Sequence, residues 1–169
     1  TLDLCAPILK DSDAIKGAGQ IVIGATDANK TLESLASVWS ALSNGGASRH
    51  SLLINVGGGM VSDLGGFAAS TFKRGIAYIN VPTTLLSMVD ASVGGKTAIN
   101  FNGLKNEVGV FNAPRRVIVD TEFLRSLDTR NLLSGYAEMI KHGLISNEKV
   151  WSQLMNFNFN DCDIAELHD

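Results

Sequence analysis

The 169-residue sequence predicts an α/β domain built on a parallel sheet, followed by the first helices of an all-helical domain. Three observations carry this reading. Short apolar runs alternate with segments of helical periodicity as far as Val119. A triple glycine, Gly57-Gly58-Gly59, stands between one such run and the helix that follows it. After Val119 the strand signal stops and only helical spacing continues.

Gln20-Ile21-Val22-Ile23-Gly24 is expected to be a short buried strand, and Ala25 to Lys30 a polar turn. Leu32, Leu35, Trp39 and Leu42 recur at helical spacing, so a helix should run to Asn44-Gly45-Gly46. Leu52–Val56 reads as a second strand, followed by the glycine turn and a helix that Gly75 breaks. Ile76–Val81 is a third strand, closed by Pro82, and Val117–Val119 a fourth. Strands alternating with helices form parallel sheets, and ligands bind such sheets at the carboxyl ends of the strands. Gly57–Gly59, Pro82-Thr83-Thr84 and Asp120-Thr121 occupy those ends and should converge on one crevice.

From Asp128 the texture changes. Asp128 or Thr129 should cap a helix whose apolar face is Leu133, Tyr136, Ala137, Ile140 and Leu144. A second helix should start near Asn147 and carry Val150, Trp151 and Leu154, with Phe157 to Asp161 as a loop. The expected division is residues 1–127 for the α/β domain and 128–169 for an incomplete helical one.

Composition narrows the function. Hydrophobic residues make up 45% and charged residues 18%, which is ordinary for a globular protein. A net charge of −3 argues against nonspecific nucleic-acid binding. No apolar run reaches the roughly 20 residues that span a bilayer, so no membrane role is expected. No signal peptide is visible, and the first residue is Thr1 rather than Met, so the sequence reads as processed or cropped. Cys5 and Cys162 form no CxxC pair, which fits two reduced thiols in the cytoplasm.

The glycine turn has two readings. It is either a bare tight connection or a cradle for a phosphate or diphosphate, with the helix dipole aimed at the anion. Gly95-Lys96-Thr97 imitates the end of a P-loop, but the motif needs Gly where Asp90 stands, so an NTPase is rejected. Lys73-Arg74, Lys96, Lys105 and Lys141 lie in or near loops that would face the crevice. Each alone is an ordinary surface charge; together, in an acidic protein, they point to a phosphorylated small molecule. Glu138 sits one turn from Lys141 and His142. The i, i+3 pair reads as a surface ion pair, and the i, i+4 pair has the spacing to share a metal. One carboxylate and one imidazole alone do not complete a catalytic zinc site.

Five blocks place the sequence beside a known family. They are GGGMVSDLGGFAASTFKRG (57–75), VPTTLLSMVDASVGGKTAIN (81–100), LKNEVGVFNAP (104–114), VIVDTEFLRSL (117–127) and GYAEMIKHGLI (135–145). In order and spacing they closely resemble 3-dehydroquinate synthase, a sugar-phosphate cyclase of the shikimate pathway. The resemblance implies a Rossmann-like NAD-binding domain and a metal-dependent carbon–oxygen lyase. The implied substrate is 3-deoxy-D-arabino-heptulosonate 7-phosphate, converted to 3-dehydroquinate with loss of phosphate. It implies catalytic NAD, a divalent zinc or cobalt ion, a homodimer, and a phosphorylated sugar acid as the small-molecule partner.

Carried over by position, the resemblance assigns Gly58, Gly59 and Asp63 to the NAD diphosphate and its neighbourhood, and Asp27 and Lys30 to the adenosine side. Thr83, Thr84, Lys96, Lys105 and Ser126 complete the cofactor-binding set. Asp90, Lys96, Asn106 and Lys141 are assigned to substrate and catalysis, and Arg74 to the substrate phosphate, an arginine that can act across a dimer interface. Glu138 matches the metal-ligating carboxylate. His142 stands where the family often has Tyr and is not assigned as a ligand. The two metal-binding histidines of the family lie downstream of the blocks present, so this chain alone is expected to be inactive. Other readings are another sugar-phosphate cyclase, a metal-dependent polyol dehydrogenase of related fold, and a noncatalytic nucleotide-binding remnant.

Overall fold

The computed structural model describes residues 13–157, together with Asp3 and Cys5. Helix α1, Leu32–Asn44, is capped by Thr31, whose hydroxyl accepts from the Ser34 N–H, and it ends at Gly45. It buries Leu35, Val38 and Leu42. Trp39 is half-buried, and its indole donates to the Ala68 carbonyl and the Thr71 hydroxyl at 3.3 and 3.1 Å. Leu32, expected on the buried face, is exposed, because it is the first residue of the helix.

Strand β1, Leu52–Gly57, pairs in parallel with β2, Ala77–Pro82, through the register Leu52↔Ala77 to Gly57↔Pro82. Helix α2, Gly59–Thr71, is the crossover between them. Its core face, with Leu64, Phe67, Ala68 and Ala69, joins Leu35, Val38, Leu42, Ile76 and Tyr78 in one hydrophobic cluster. A short strand β5, Arg116–Val117, pairs in parallel with the other edge of β2. The sheet order is thus β1-β2-β5. The strand expected at Val117–Val119 is shorter, and Ile118 adds one further bond to the Asn80 carbonyl at 2.8 Å.

Two sequence expectations fail in the α/β part. Gln20–Gly24 is no strand, for it has no ladder partner among the described residues. Its alternation is real: Ile21 and Ile23 pack on the core while Val22 stays exposed. The stretch after Asp90, where no strand is expected and Lys96 and Lys105 are expected in or near loops, contains an antiparallel hairpin of β3, Lys96–Phe101, and β4, Leu104–Phe111. Asn102 and Gly103 form its tip, both with positive φ (50° and 79°), as a tight hairpin turn requires.

Helix α3, Thr129–Ser146, starts where expected, with the Asp128 carboxylate accepting from the Asn131 N–H. Helix α4, Glu148–Asn156, is capped by Asn147 and packs on α3. The buried side of α3 is only partly the expected one. Tyr136 and Ile140 are half-buried as expected, Leu133, Ala137 and Leu144 are exposed, and Gly135 and Gly143 are buried. These glycines let neighbours approach: a Cβ at Gly135 would lie 2.5 Å from Leu85 Cβ and Leu86 N, and one at Gly143 would lie 2.7 Å from Leu154 Cδ1. Phe157 opens the expected final loop; the rest of that loop, and Cys162, lie outside the described residues. No helix among the described residues is long and apolar enough to cross a membrane.

Candidate functional site

The strand ends position the site. After β1 the chain turns at Gly58 and enters α2, whose first turn holds no acidic residue. The first N–H groups of that helix have no acceptor within it and carry the positive end of its dipole. The Thr83 N–H donates to the Gly57 carbonyl at 3.0 Å, which ties the second loop to the first. A Cβ at Gly58 would lie 3.1 Å from Thr84 Cγ2, and one at Gly59 would lie 2.9 Å from Ala91 Cβ. The triple glycine therefore keeps side chains out of a narrow gap between three loops. The Thr84 hydroxyl bonds to Ser87, the first residue of a wide π-helical turn, Ser87–Ala91, that delivers Asp90. Asp120 caps the short helix Thr121–Ser126. The first two of the three expected loops are joined to each other, but none of Gly57–Gly59, Thr83, Thr84 and Asp120 is among the residues that line the groove described next.

A groove of about 430 Å³ opens between α2, the Asp90 turn and the β3–β4 hairpin. Asp63, Asp90, Lys96 and Asn106 all line it. Lys96 opens a strand here rather than a helix, which agrees with rejecting a P-loop. A second hollow of about 310 Å³, lined by Thr31, Glu33, Asn100 and Asn102 among others, contains no predicted site residue.

At one end of the groove Lys30 is buried, 4% exposed. Its ammonium donates to Asp63 Oδ2 at 2.9 Å and to Asn106 Oδ1, and lies 3.6 Å from Asp27 Oδ1. Lys105 reaches the other Asp27 oxygen at 3.1 Å. Burial pushes the Asp63 carboxyl above its ordinary range and outweighs the opposing pull of Lys30, because that one ammonium is shared among three acceptors. Asp27 is held below its ordinary range, first by the Lys105 hydrogen bond and also by Asn100, against some desolvation.

At the other end α3 brings Glu138 and His142 to Asp90. One ligand atom from each of the three residues lies within 4.8 Å of the other two. His142 Nε2 is 3.7 Å from Glu138 Oε1 and 4.0 Å from Asp90 Oδ1, and is itself without a hydrogen-bond partner. Lys141 also pairs with Glu138. Two carboxylates and an imidazole suit a divalent ion of zinc or cobalt type. The approach of Asp90 to the α3 pair was not legible in the sequence, since nothing in the spacing relates residue 90 to residue 138.

Other predicted residues stand elsewhere. Lys73 and Arg74 lie in a short turn, Phe72–Arg74, just beyond the far end of α2, a helix of 13 residues, which puts them about 20 Å from the glycine turn at its start. Both are exposed and both have positive φ. The Ser126 hydroxyl donates to the Phe123 carbonyl at 2.9 Å and is not among the groove-lining residues.

Sequence reasoning missed two buried amides below the groove. Asn55 on β1 donates to Asn80 on β2 at 3.0 Å, and Asn80 donates to the Ser92 carbonyl at 3.1 Å. This rung anchors the segment carrying Asp90 and Lys96 to the sheet. An Asn inside each of two apolar strands was the available signal.

The family model for the 3-dehydroquinate synthase N-terminal region matches residues 20–134. The chain belongs to this family. A 3-dehydroquinate synthase of Parabacteroides distasonis is 56% identical over 168 residues, 99% of this chain. The chain spans 48% of that relative's length. Two solved sugar-phosphate cyclases share the fold. A 2-epi-5-epi-valiolone synthase from Streptomyces hygroscopicus, with NAD+ and Zn2+ bound, is 37% identical with a TM-score of 0.71. That match covers 73% of this chain and 34% of the synthase. A 2-deoxy-scyllo-inosose synthase in complex with carbaglucose-6-phosphate, NAD+ and Co2+ is 31% identical with a TM-score of 0.75. It covers 85% of this chain and 41% of the synthase. Membership of the family and the Rossmann-like α/β fold expected from the sequence are thereby established.

Proposed function

We propose that this chain supplies the nucleotide-binding half, and part of the metal and substrate site, of a 3-dehydroquinate synthase. The full reaction would convert 3-deoxy-D-arabino-heptulosonate 7-phosphate to 3-dehydroquinate and phosphate. One observation carries this reading: in a chain of this family, Asp63, Asp90, Lys96 and Asn106 line one groove, and its Asp90 end also meets Glu138 and His142.

The glycine turn and the open N-terminus of α2 would receive the cofactor diphosphate, with Thr83 and Thr84 beside it. Asp27 would accept from ribose hydroxyls, a choice that favours NAD over its 2′-phosphorylated form. When bound, NAD supplies reversible oxidation of a substrate alcohol, and a divalent ion polarises the oxygen it meets. Glu138 would hold that ion, with the remaining ligands supplied by sequence outside this chain.

The rest is the work of side chains. Lys96 and Lys141 place positive charge where the substrate carries negative charge. Asn106, fixed by Lys30, donates to and accepts from a hydroxyl. Asp90 is exposed at the metal end, where it would orient a hydroxyl or take its proton. Arg74, far from the groove of its own subunit, would act on phosphate across a homodimer interface. The protein would work in the cytoplasm.

The full-length protein containing this chain, given the heptulosonate phosphate, NAD+ and zinc, is expected to release phosphate without net NADH. Net NADH accumulation would mark a dehydrogenase and overturn the reading. A carbocycle other than dehydroquinate would assign another cyclase. The 169-residue chain alone is expected to bind NAD weakly and to turn over nothing.

A further inference from the structure

We propose that Asn100 is a positioning residue that clamps the Asp27 turn and the Lys105–Asn106 stretch at the start of β4 at one fixed spacing. Asn100 lies on β3, partly buried, between these two segments. Its backbone N–H donates to the Lys30 carbonyl at 2.8 Å. Its side-chain Nδ2 donates to both the carbonyl and Oδ2 of Asp27, each at 3.2 Å. Its Oδ1 accepts the Asn106 N–H at 3.0 Å. One planar amide thus holds one segment through its donor end and the other through its acceptor end.

The clamp acts on a conformation that needs holding. Asn106 has φ +54°, a left-handed conformation that costs most non-glycine residues and that Asn tolerates best. The bond to its N–H and the Lys30 bond to its side chain keep it there. Lys105, the residue before it, reaches back to the same Asp27 oxygen that Asn100 contacts. The carboxylate is therefore gripped by both partners, and its direction is set before any ligand arrives. Aspartate at position 100 would keep the acceptor for Asn106 but set a carboxylate against Asp27, so the two halves of the clamp can be separated by substitution.

What the clamp positions, Asp27 toward a nucleotide and Asn106 toward a substrate, rests on the function proposed above; the clamp itself does not. The test is residue-resolved amide hydrogen exchange on the 169-residue chain, followed by NAD+ titration. Asn100→Ala is expected to speed exchange of the Asn106 N–H at least tenfold while the β1–β2 ladder amides stay unchanged. Asn100→Asp is expected to keep protection at Asn106. Both substitutions should weaken NAD+ binding several-fold, and the Asn100→Asp loss should vanish in an Asp27→Ala background. Unchanged exchange at Asn106, or uniform acceleration through the ladder, overturns the clamp. Local exchange effects with native NAD+ affinity overturn its positioning role. If the unsubstituted chain binds no NAD+ at all, the nucleotide reading fails, and the exchange result alone decides whether Asn100 is a clamp.

Discussion

The two ends of the groove are built on opposite plans. Around Lys30 the charges are already satisfied: a buried ammonium serves Asp63, Asn106 and Asp27, with Asn100 and Lys105 gripping the outer carboxylate. Around Glu138 only Lys141 makes a close pair, while the Asp90 side chain is 56% exposed and His142 Nε2 has no hydrogen-bond partner among the described residues. The first end has a shape before ligand arrives. The second holds two carboxylates and an imidazole near one another without a fixed network. Preorganisation at one end and looseness at the other suit a cofactor that stays and a substrate that comes and goes.

The largest expected effect breaks the first end. Lys30→Met leaves the Asp63 carboxylate and the Asn106 amide without their buried donor. It should cost about 3 kcal/mol of folding stability, read as a lower urea midpoint at unchanged slope. A loss below about 1 kcal/mol would mean that solvent already serves these groups. Gly135→Ala attacks the support of the second end. Its methyl would meet Leu85 and the Leu86 backbone at 2.5 Å, and overpacking of this kind costs about 1–3 kcal/mol. The same denaturation series measures it, and a neutral result would show that α3 is free to shift. Lys141→Met removes an exposed partner of Glu138 and should leave the urea midpoint almost unchanged. The contrast with Lys30→Met is the sharpest statement of the difference between the ends.

The smallest effect is in pH dependence, where the two carboxylates of the first end have opposite signs. Asp63 titrates above its ordinary 3.8 in the folded chain. The folded state therefore binds its proton more tightly than the unfolded state does, and this contribution to stability falls as pH rises from 3.8 through the folded value. Asp27 titrates below its ordinary 3.8, so its contribution is present above that value and is lost as pH falls through the folded one. Asp63→Asn should remove the declining contribution, and Asp27→Asn the acid-side loss. Urea midpoints between about pH 3 and pH 6 test both. Equal slopes in the two variants would show that neither carboxylate is perturbed.

Where local pattern and local structure coincide, the sequence was readable. The α1 helix, the glycine turn, the β1–β2 pair and the α3 cap all follow from periodicity, glycine and a capping Asp. The hairpin is readable in principle, since Asn102-Gly103 is a tight-turn pair between alternating residues, but the Gly95-Lys96-Thr97 stretch invites comparison only with a P-loop, which its spacing rejects. Gln20–Gly24 shows the converse: its alternation is correct, but a strand also needs a partner. On α3 the periodicity holds for Tyr136 and Ile140 but not for Leu133 and Leu144, because the closest approaches are made at two glycines. Of the site, the groove residues came from motif resemblance. Their joining through Lys30, and the meeting of Asp90 with Glu138 and His142, depend on distances between segments far apart in the chain, which no pattern in the sequence encodes.

The Asn55–Asn80 rung bears on how the chain finds its pairing in the first place. Parallel strands of aliphatic residues can slide past each other with little loss, because one branched side chain packs much like the next. A pair of dehydrated amides admits only one alignment, since any slip strands both among hydrocarbon. The rung therefore penalises a slipped match between two neighbouring threads, whatever the loops above them do.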